Sequence, residues 1–307
     1  MPIFQSYELN ATWWESFEDP AMKLCILCFG TRTRLRFILP GYIKQKIFFL
    51  LQNDHADILD AIYDPTDDML FYCSGIAKMI REIPEISTVQ FAKLNAASPL
   101  LSCLPYFFGE NKCIIHKNSG IPVIEKSQYE GSNLLKFQNK DRHYKMQKLL
   151  EGSDVCSAWY PGPFPEQQFK ELSVMLIRHY HRDPFYYNSL MEYVKTLYEK
   201  KMVRIFISSK DGIPVHLSFV LSLKENAWLS WVSVYNPEIP RIDIIRLINL
   251  VRSAREHGSE LWFGTGLYKQ KIELFHPRLT PLFNLKFSKK EKKVFRFLSR
   301  KLIDLAY

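Results

Sequence analysis

A chain of 307 residues, 47% of them apolar, is long enough for one large domain or two of ordinary size and too apolar to be disordered. No uninterrupted apolar run approaches the ~20 residues that span a bilayer, and Glu8 and Glu15 interrupt any leader-like segment, so the expected location is cytoplasmic. The formal charge of +9 calls for an anionic partner without choosing one. Of the 6 cysteines, Cys25 and Cys28 form a C-x-x-C, but on a strand that spacing turns the thiols to opposite faces, and no second pair follows. Free cysteines and no metal site are the expectation.

The chain opens with a helix over residues 4–17 that carries Trp13, Trp14 and Phe17. Strands over 22–29, 32–39 and 46–51 follow as a meander. Residues 57–62 and 67–80 read as helix, with Asp67 as a cap. A strand over 89–94 leads to a helix over 98–107, opened by Ser98-Pro99 as cap and first-turn proline. Short strands at 113–116 and 123–124 close this part. Residues 128–150 form a polar helical stretch with Lys136, Lys140, Arg142, Lys145 and Lys148. It is either a groove wall for an anionic ligand or a solvated connecting helix.

After the loop 160–165, helices span 167–180 and 185–200. Strands follow over 203–208, 215–223 and 228–235, the first two joined at Asp211-Gly212, a tight-turn dipeptide. From 242 to 257 the residues Ile242, Ile245, Leu247, Ile248, Val251 and Ala254 keep helical spacing, and Gly258 stops the helix. A strand over 261–263 ends in Gly264-Thr265-Gly266, then Tyr268-Lys269. The tail 288–307 reads as a basic amphipathic helix, which either docks on the domain or lies on an anionic membrane.

Three strands, a helix and a further strand do not make a Rossmann alternation. They fit the mixed sheet of an N-acetyltransferase-type (GNAT) fold, and the first part of the chain repeats the theme. The expected architecture is an α/β tandem of two GNAT-like halves, 1–150 and 151–307. The residues Gly212, Pro214, Phe263, Gly264, Gly266, Tyr268 and Lys269 resemble the closing motif of the GNAT-like CelD/BcsL proteins linked to bacterial cellulose biosynthesis. Upstream, Phe4-Gln5-Ser6 with Trp13-Trp14, Asp54-His55-Ala56-Asp57 and Ala97-Ser98-Pro99-Leu100-Leu101 resemble further elements of that family.

The resemblance implies an acyltransferase that takes an acetyl or other acyl group from acyl-CoA, such as acetyl-CoA, or from an acyl carrier protein. The acceptor would be an amine or hydroxyl on a small molecule, sugar or peptide. It implies Tyr268 as general acid, Lys269 beside it, and a donor arm between strands 228–235 and 261–263, with Tyr235, Gly264 and Gly266 lining it. His216 suits a general base by its ordinary pKa, and is otherwise a structural strand histidine. The helix start that receives a pyrophosphate reads Asn236-Pro237-Glu238-Ile239-Pro240-Arg241, without the usual glycines, so Arg241 and Arg246 would compensate with charge. Two alternatives stand beside this reading. One is a Fem-type aminoacyltransferase using charged tRNA. The other is a non-catalytic GNAT-like protein that binds a partner or, peripherally, the inner membrane in an envelope or stress-resistance role.

Overall fold

The structure is a computed structural model that describes residues 3–31, 33–52, 55–64, 66–109, 112–118, 120–129, 144, 147, 148, 150–224, 226–265 and 269–288. The basic helices expected at 128–150 and 288–307 lie largely outside these residues.

Two mixed sheets are built on one plan. In the first, β1 (Met22–Thr31), β2 (Arg34–Lys44) and β3 (Ile47–Leu50) form an antiparallel meander, with β4 (Ile62–Tyr63) paired to the side of β2. Helix α2 (Met69–Glu82) then crosses over, and β5 (Thr88–Asn95) lies parallel to β3. After α3 (Pro99–Phe108) come β6 (Cys113–Lys117) and β7 (Ile121–Ile124). In the second, β8 (Val155–Tyr160) is followed by α4 (Glu166–Tyr180) and α5 (Pro184–Glu199). Strands β9 (Val203–Lys210), β10 (Ile213–Lys224) and β11 (Ala227–Tyr235) make the meander. Helix α6 (Ile242–Glu256) crosses over, and β12 (Glu260–Trp262) lies parallel to β11. The short α7 (Lys269–Phe275), β13 (Arg278–Thr280) and β14 (Leu282–Ser288) complete the chain, preceded at its start by α1 (Tyr7–Phe17).

The sheets exchange their last strands. β14, at the end of the second half, sits between β5 and β6 of the first sheet, antiparallel to both. β7, at the end of the first half, sits between β12 and β13 of the second, again antiparallel to both. Without the partner half each sheet would break into two pieces with unpaired edges. The buried core is likewise shared: Phe4, Trp13 and Phe91 belong to one cluster with Tyr193, Leu217 and Leu285. A polar thread runs through it. Tyr193 donates from its hydroxyl to Gln52 Oε1 at 2.9 Å, and Gln52 Nε2 donates to Phe4 O and Asn10 Oδ1, both at 3.2 Å.

Local chemistry explains most elements. Ser6, Ser98 and Asp183 cap α1, α3 and α5 with side-chain oxygens. Two expectations are corrected. The cap of α2 is Asp68, whereas Asp67 is drawn off to Arg36 at 2.8 Å and to the Tyr72 hydroxyl at 3.1 Å. Residues 57–61 are not helical. Leu59 instead bridges Leu94 and donates its N–H to Lys93 O at 3.1 Å, while Asp60 turns inward to accept from Ala61 N and the Ser98 hydroxyl. Strand pairing to β5 and two inward carboxylates outcompete the helix there.

The strand exchange predicts that residues 1–150 expressed alone do not fold cooperatively, because β5 and β6 lack β14 between them. Thermal unfolding followed by circular dichroism checks this. A sharp transition in the fragment would contradict the exchange.

Candidate active site

Strand β12 pairs with β11 only as far as Leu229↔Trp262. Immediately beyond, the β10–β11 register jumps from Phe219↔Val232 to Val220↔Ser230, which makes Trp231 a bulge. A bulge bends its strand, and the pairing of β11 with β12 ends just before it. The splay expected between these strands would begin past Ser230, where their pairing has ended.

Gly264 follows β12 with φ +72, and a Cβ there would stand 3.1 Å from both Asp57 Oδ2 and Ser230 O. Glycine is needed for the left-handed backbone and for this close approach. The approach is to the protein's own Asp57. Thr265, next in the chain, donates its N–H to Asp57 Oδ1 at 2.6 Å and its hydroxyl to the same oxygen at 2.7 Å. Asp57 comes from the first half and is 5% exposed, and its Oδ2 has no hydrogen-bond partner among the described residues. Burial pushes this carboxyl up, against the Thr265 hydrogen bonds and the nearby cations Lys93 and Lys271. A second bond ties the halves here, from Trp231 Nε1 to His55 O at 2.7 Å.

Lys271, on α7, is 5% exposed and donates to Phe263 O at 2.9 Å. Burial, helped by the Arg246 charge and opposed by Asp57, brings its pKa down to about 8. Arg246, on α6, donates from Nη1 to the Ser230 hydroxyl at 2.8 Å, with Ser218 Oγ at 3.5 Å. Part of its side chain is open, yet its Nε is shut off from solvent and unpaired among the described residues. Burial draws its pKa down to about 10, with Asp243 and Tyr235 acting the other way.

The residues singled out in the sequence are distributed as follows. His216 is fully buried on β10, with Nδ1 3.3 Å from Ser218 Oγ and its ring stacked on Tyr235 at 5.6 Å. Burial and the Arg246 charge hold its pKa well below the usual 6.5, so it is neutral. Tyr235 reaches the Tyr180 hydroxyl at 3.2 Å. Arg241 is exposed at the start of α6, at φ 59. Tyr268 and Gly266 lie outside the described residues, as does the side chain of Lys269. The structure brings Arg246 and Gly264 together with Asp57, Thr265, Lys271 and Ser230, which sequence reasoning did not assign. Among the described residues no cluster of His, Cys, Asp or Glu suits a metal ion, and no helix is long and apolar enough to cross a membrane.

No protein-family model matches the chain, and no curated protein matches it in sequence. Solved structures share its fold. The C-terminal domain assigned to a lysylphosphatidylglycerol synthetase of Agrobacterium fabrum aligns with a TM-score of 0.61 at 10% identity, over 96% of this chain and 91% of that one. L-PGS from Bacillus licheniformis gives 0.60 at 11% identity, over 99% and 98%. FemX gives 0.60 at 9% identity, over 96% and 94%. At such identities the likeness is one of fold, and with the strand order above it makes the chain a tandem GNAT-like α/β protein.

Lys271 supplies a prediction. A pKa depressed from 10.5 to about 8 contributes stability that is present above 10.5 and lost as pH falls through 8. The shift corresponds to about 3 kcal/mol. Lys271→Met should therefore gain stability over the wild type, by that order, when denaturant unfolding near neutral pH is compared with unfolding above pH 10.5. A difference independent of pH would contradict the burial of a charged amine.

Proposed function

We propose that the protein is an acyltransferase working in this splay, moving an acyl group from an activated ester or thioester to an amine or hydroxyl. The observation that carries the reading is Asp57: a buried carboxylate with one oxygen fixed by Thr265 and the other unpaired among the described residues, beside Gly264 and Ser230. An attacking hydroxyl or ammonium must lose a proton, and a carboxylate made more basic by burial suits that task. Lys271 and Arg246 supply positive charge for the oxyanion that develops on the acyl carbonyl. Tyr268 keeps the role of general acid toward the leaving group, with Lys269 beside it, on the strength of their place after Phe263-Gly264. Among GNAT-like proteins, the closing motif from Gly212 to Lys269 supports the CelD/BcsL type.

An acyl-CoA or acyl carrier protein thioester is the first donor to consider. The turn before α6 favours a second. Pro237 and Pro240 have no N–H, and the N–H groups of Glu238, Ile239 and Ile242 are spent on Asn236 Oδ1, Asn236 O and Ile239 O. Few donors remain there to wrap a pyrophosphate. An aminoacyl ester of tRNA, as in Fem-type enzymes, does not need that turn, and the name of the Agrobacterium neighbour is consistent with an amino acid as cargo.

The test supplies acetyl-CoA, acetylated carrier protein or charged tRNA together with a mixture of amine and hydroxyl acceptors, and follows release of free thiol or uncharged tRNA. One donor is expected to be consumed, and Asp57→Asn should slow this by roughly 10²–10⁴-fold while keeping the Thr265 contacts. An Asp57→Asn variant as fast as the wild type would remove the base assigned here. Consumption of no donor would return the non-catalytic reading.

A further inference from the structure

Strand β8 forms one edge of the second sheet, and an open groove of about 610 Å³ lies at its end. Trp159 and Tyr160 of β8 line it, with Pro161, Pro163 and Phe164 of the loop that follows and Tyr198 near the end of α5. The four aromatic rings are half-buried. The loop is tied down. The Tyr198 hydroxyl donates to Gly162 O at 2.6 Å, and Phe164 stacks on Phe219 of the sheet with centroids 6.2 Å apart. A Cβ on Gly162 would stand 2.6 Å from the Tyr160 hydroxyl, so that ring closes against the loop backbone. The groove is thus preformed, concave and mostly apolar, as small-molecule sites are.

Arg204, the second residue of β9, lines the same groove. Its guanidinium lies 3.8 Å from the ring centroid of Trp159 and 5.2 Å from that of Trp228. Strand register explains the stacking. Trp159 is opposite Phe206, and Arg204, two residues away on β9, shares their face of the sheet. Trp159 is itself fixed by the bond from its Nε1 to Ser253 Oγ at 2.9 Å. Stacking occupies a face of the guanidinium and leaves its N–H edge. That edge has no hydrogen bond and no carboxylate partner among the described residues. It is also not sealed, because the side chain is half-buried and none of its nitrogens is shut off from solvent. Burial alone draws the Arg204 pKa down, with no neighbouring charge acting the other way. Two further charged residues line the groove, Lys201 and Glu199, both exposed. Together with Arg204 they leave one positive charge unbalanced.

We propose that this groove binds a small monocarboxylic acid with an aromatic or otherwise apolar body. The carboxylate takes the N–H edge of Arg204, whose planar fork matches two carboxylate oxygens while its face stays on Trp159. The body lies against Tyr160, Phe164 and Tyr198. The volume falls within the roughly 300–1,000 Å³ of small-molecule sites. A single negative charge is favoured over a phosphate dianion, because Glu199 shares the groove and one charge restores balance. In the sheet, β9, β10 and β11 separate β8 from β12. The site is therefore distinct from Asp57 and stands whether or not the protein transfers acyl groups.

The test is a calorimetric titration of the full chain with three probes. Phenylacetate carries both charge and body, phenylacetamide keeps the body without the charge, and acetate keeps the charge without the body. Phenylacetate is expected to bind saturably, roughly tenfold or more tightly than either control, and to change tryptophan emission through Trp159. Arg204→Gln should reduce phenylacetate to the affinity of the amide, and Arg204→Lys, which keeps the charge without the fork, should fall between. Arg178→Gln, at an exposed position on α4, should leave binding unchanged. The comparison of acid with amide uses the wild-type chain and so decides the matter even if the Arg204 variants do not fold. No saturable binding, equal affinity for acid and amide, or undiminished binding in Arg204→Gln would overturn the site. Tighter binding of phenyl phosphate, or of a peptide ending in phenylalanine, would overturn the choice of a small monocarboxylate.

Discussion

The contact on which the candidate site depends is that between Asp57 and Thr265. It joins residues 208 apart in sequence, one from each half, through a single carboxylate oxygen that receives both an amide and a hydroxyl. Placing an ion in a dry interior is unfavourable unless it is hydrogen-bonded. The two Thr265 bonds meet that requirement on one oxygen only. The other lies against Gly264, closed to solvent and without a hydrogen-bond partner among the described residues. The same contact fixes the path of the chain out of β12, and Lys271, on the helix that follows, returns to bond Phe263 O. The path of the chain past Gly264 and the position of Lys271 thus follow from one buried carboxyl and the two groups that hold it.

Such an arrangement needs halves that cannot drift apart. The exchange of β7 and β14 makes each sheet incomplete without the other, and the shared core and the Gln52 thread bind the halves further. Two separable domains around an active cleft normally open and close on a modest interface. Here the interface is made of ladder hydrogen bonds and core side chains. The bulge at Trp231 and the left-handed glycine at 264 sit on this frame.

Much of the fold was legible because its signals are local. The Asp211-Gly212 turn, the helical spacing from Ile242 to Ala254 and the Ser98-Pro99 start all act within a few residues, and all formed as read. The three-strand, helix, strand order was likewise enough to expect two similar halves. What escaped was non-local. The strand Leu282–Ser288 finds its place only between β5 and β6, nearly two hundred residues back. The helix expected at 57–62 fails because Leu59 is claimed by β5 and because Asp57 and Asp60 turn inward to distant partners. Asp57 stood in a segment already singled out, but its chemistry comes from Thr265. Arg246 was named for its charge at a pyrophosphate turn, and the structure places it deeper, on Ser230 and Ser218. Nothing in the spacing of Lys271 separates a surface lysine from a buried one.

The central claim of the proposed function is that the acyl group reacts beside Asp57, where the two halves meet. A crystal structure of the complex with a non-hydrolysable analogue of the donor tests it most directly. The account predicts the acyl carbonyl in the splay, with the attacking position within hydrogen-bond reach of Asp57 Oδ2. Clear density for the acyl group elsewhere would contradict it, as in the aromatic groove formed by Trp159, Tyr160, Phe164, Tyr198 and Arg204 on the far edge of the second sheet.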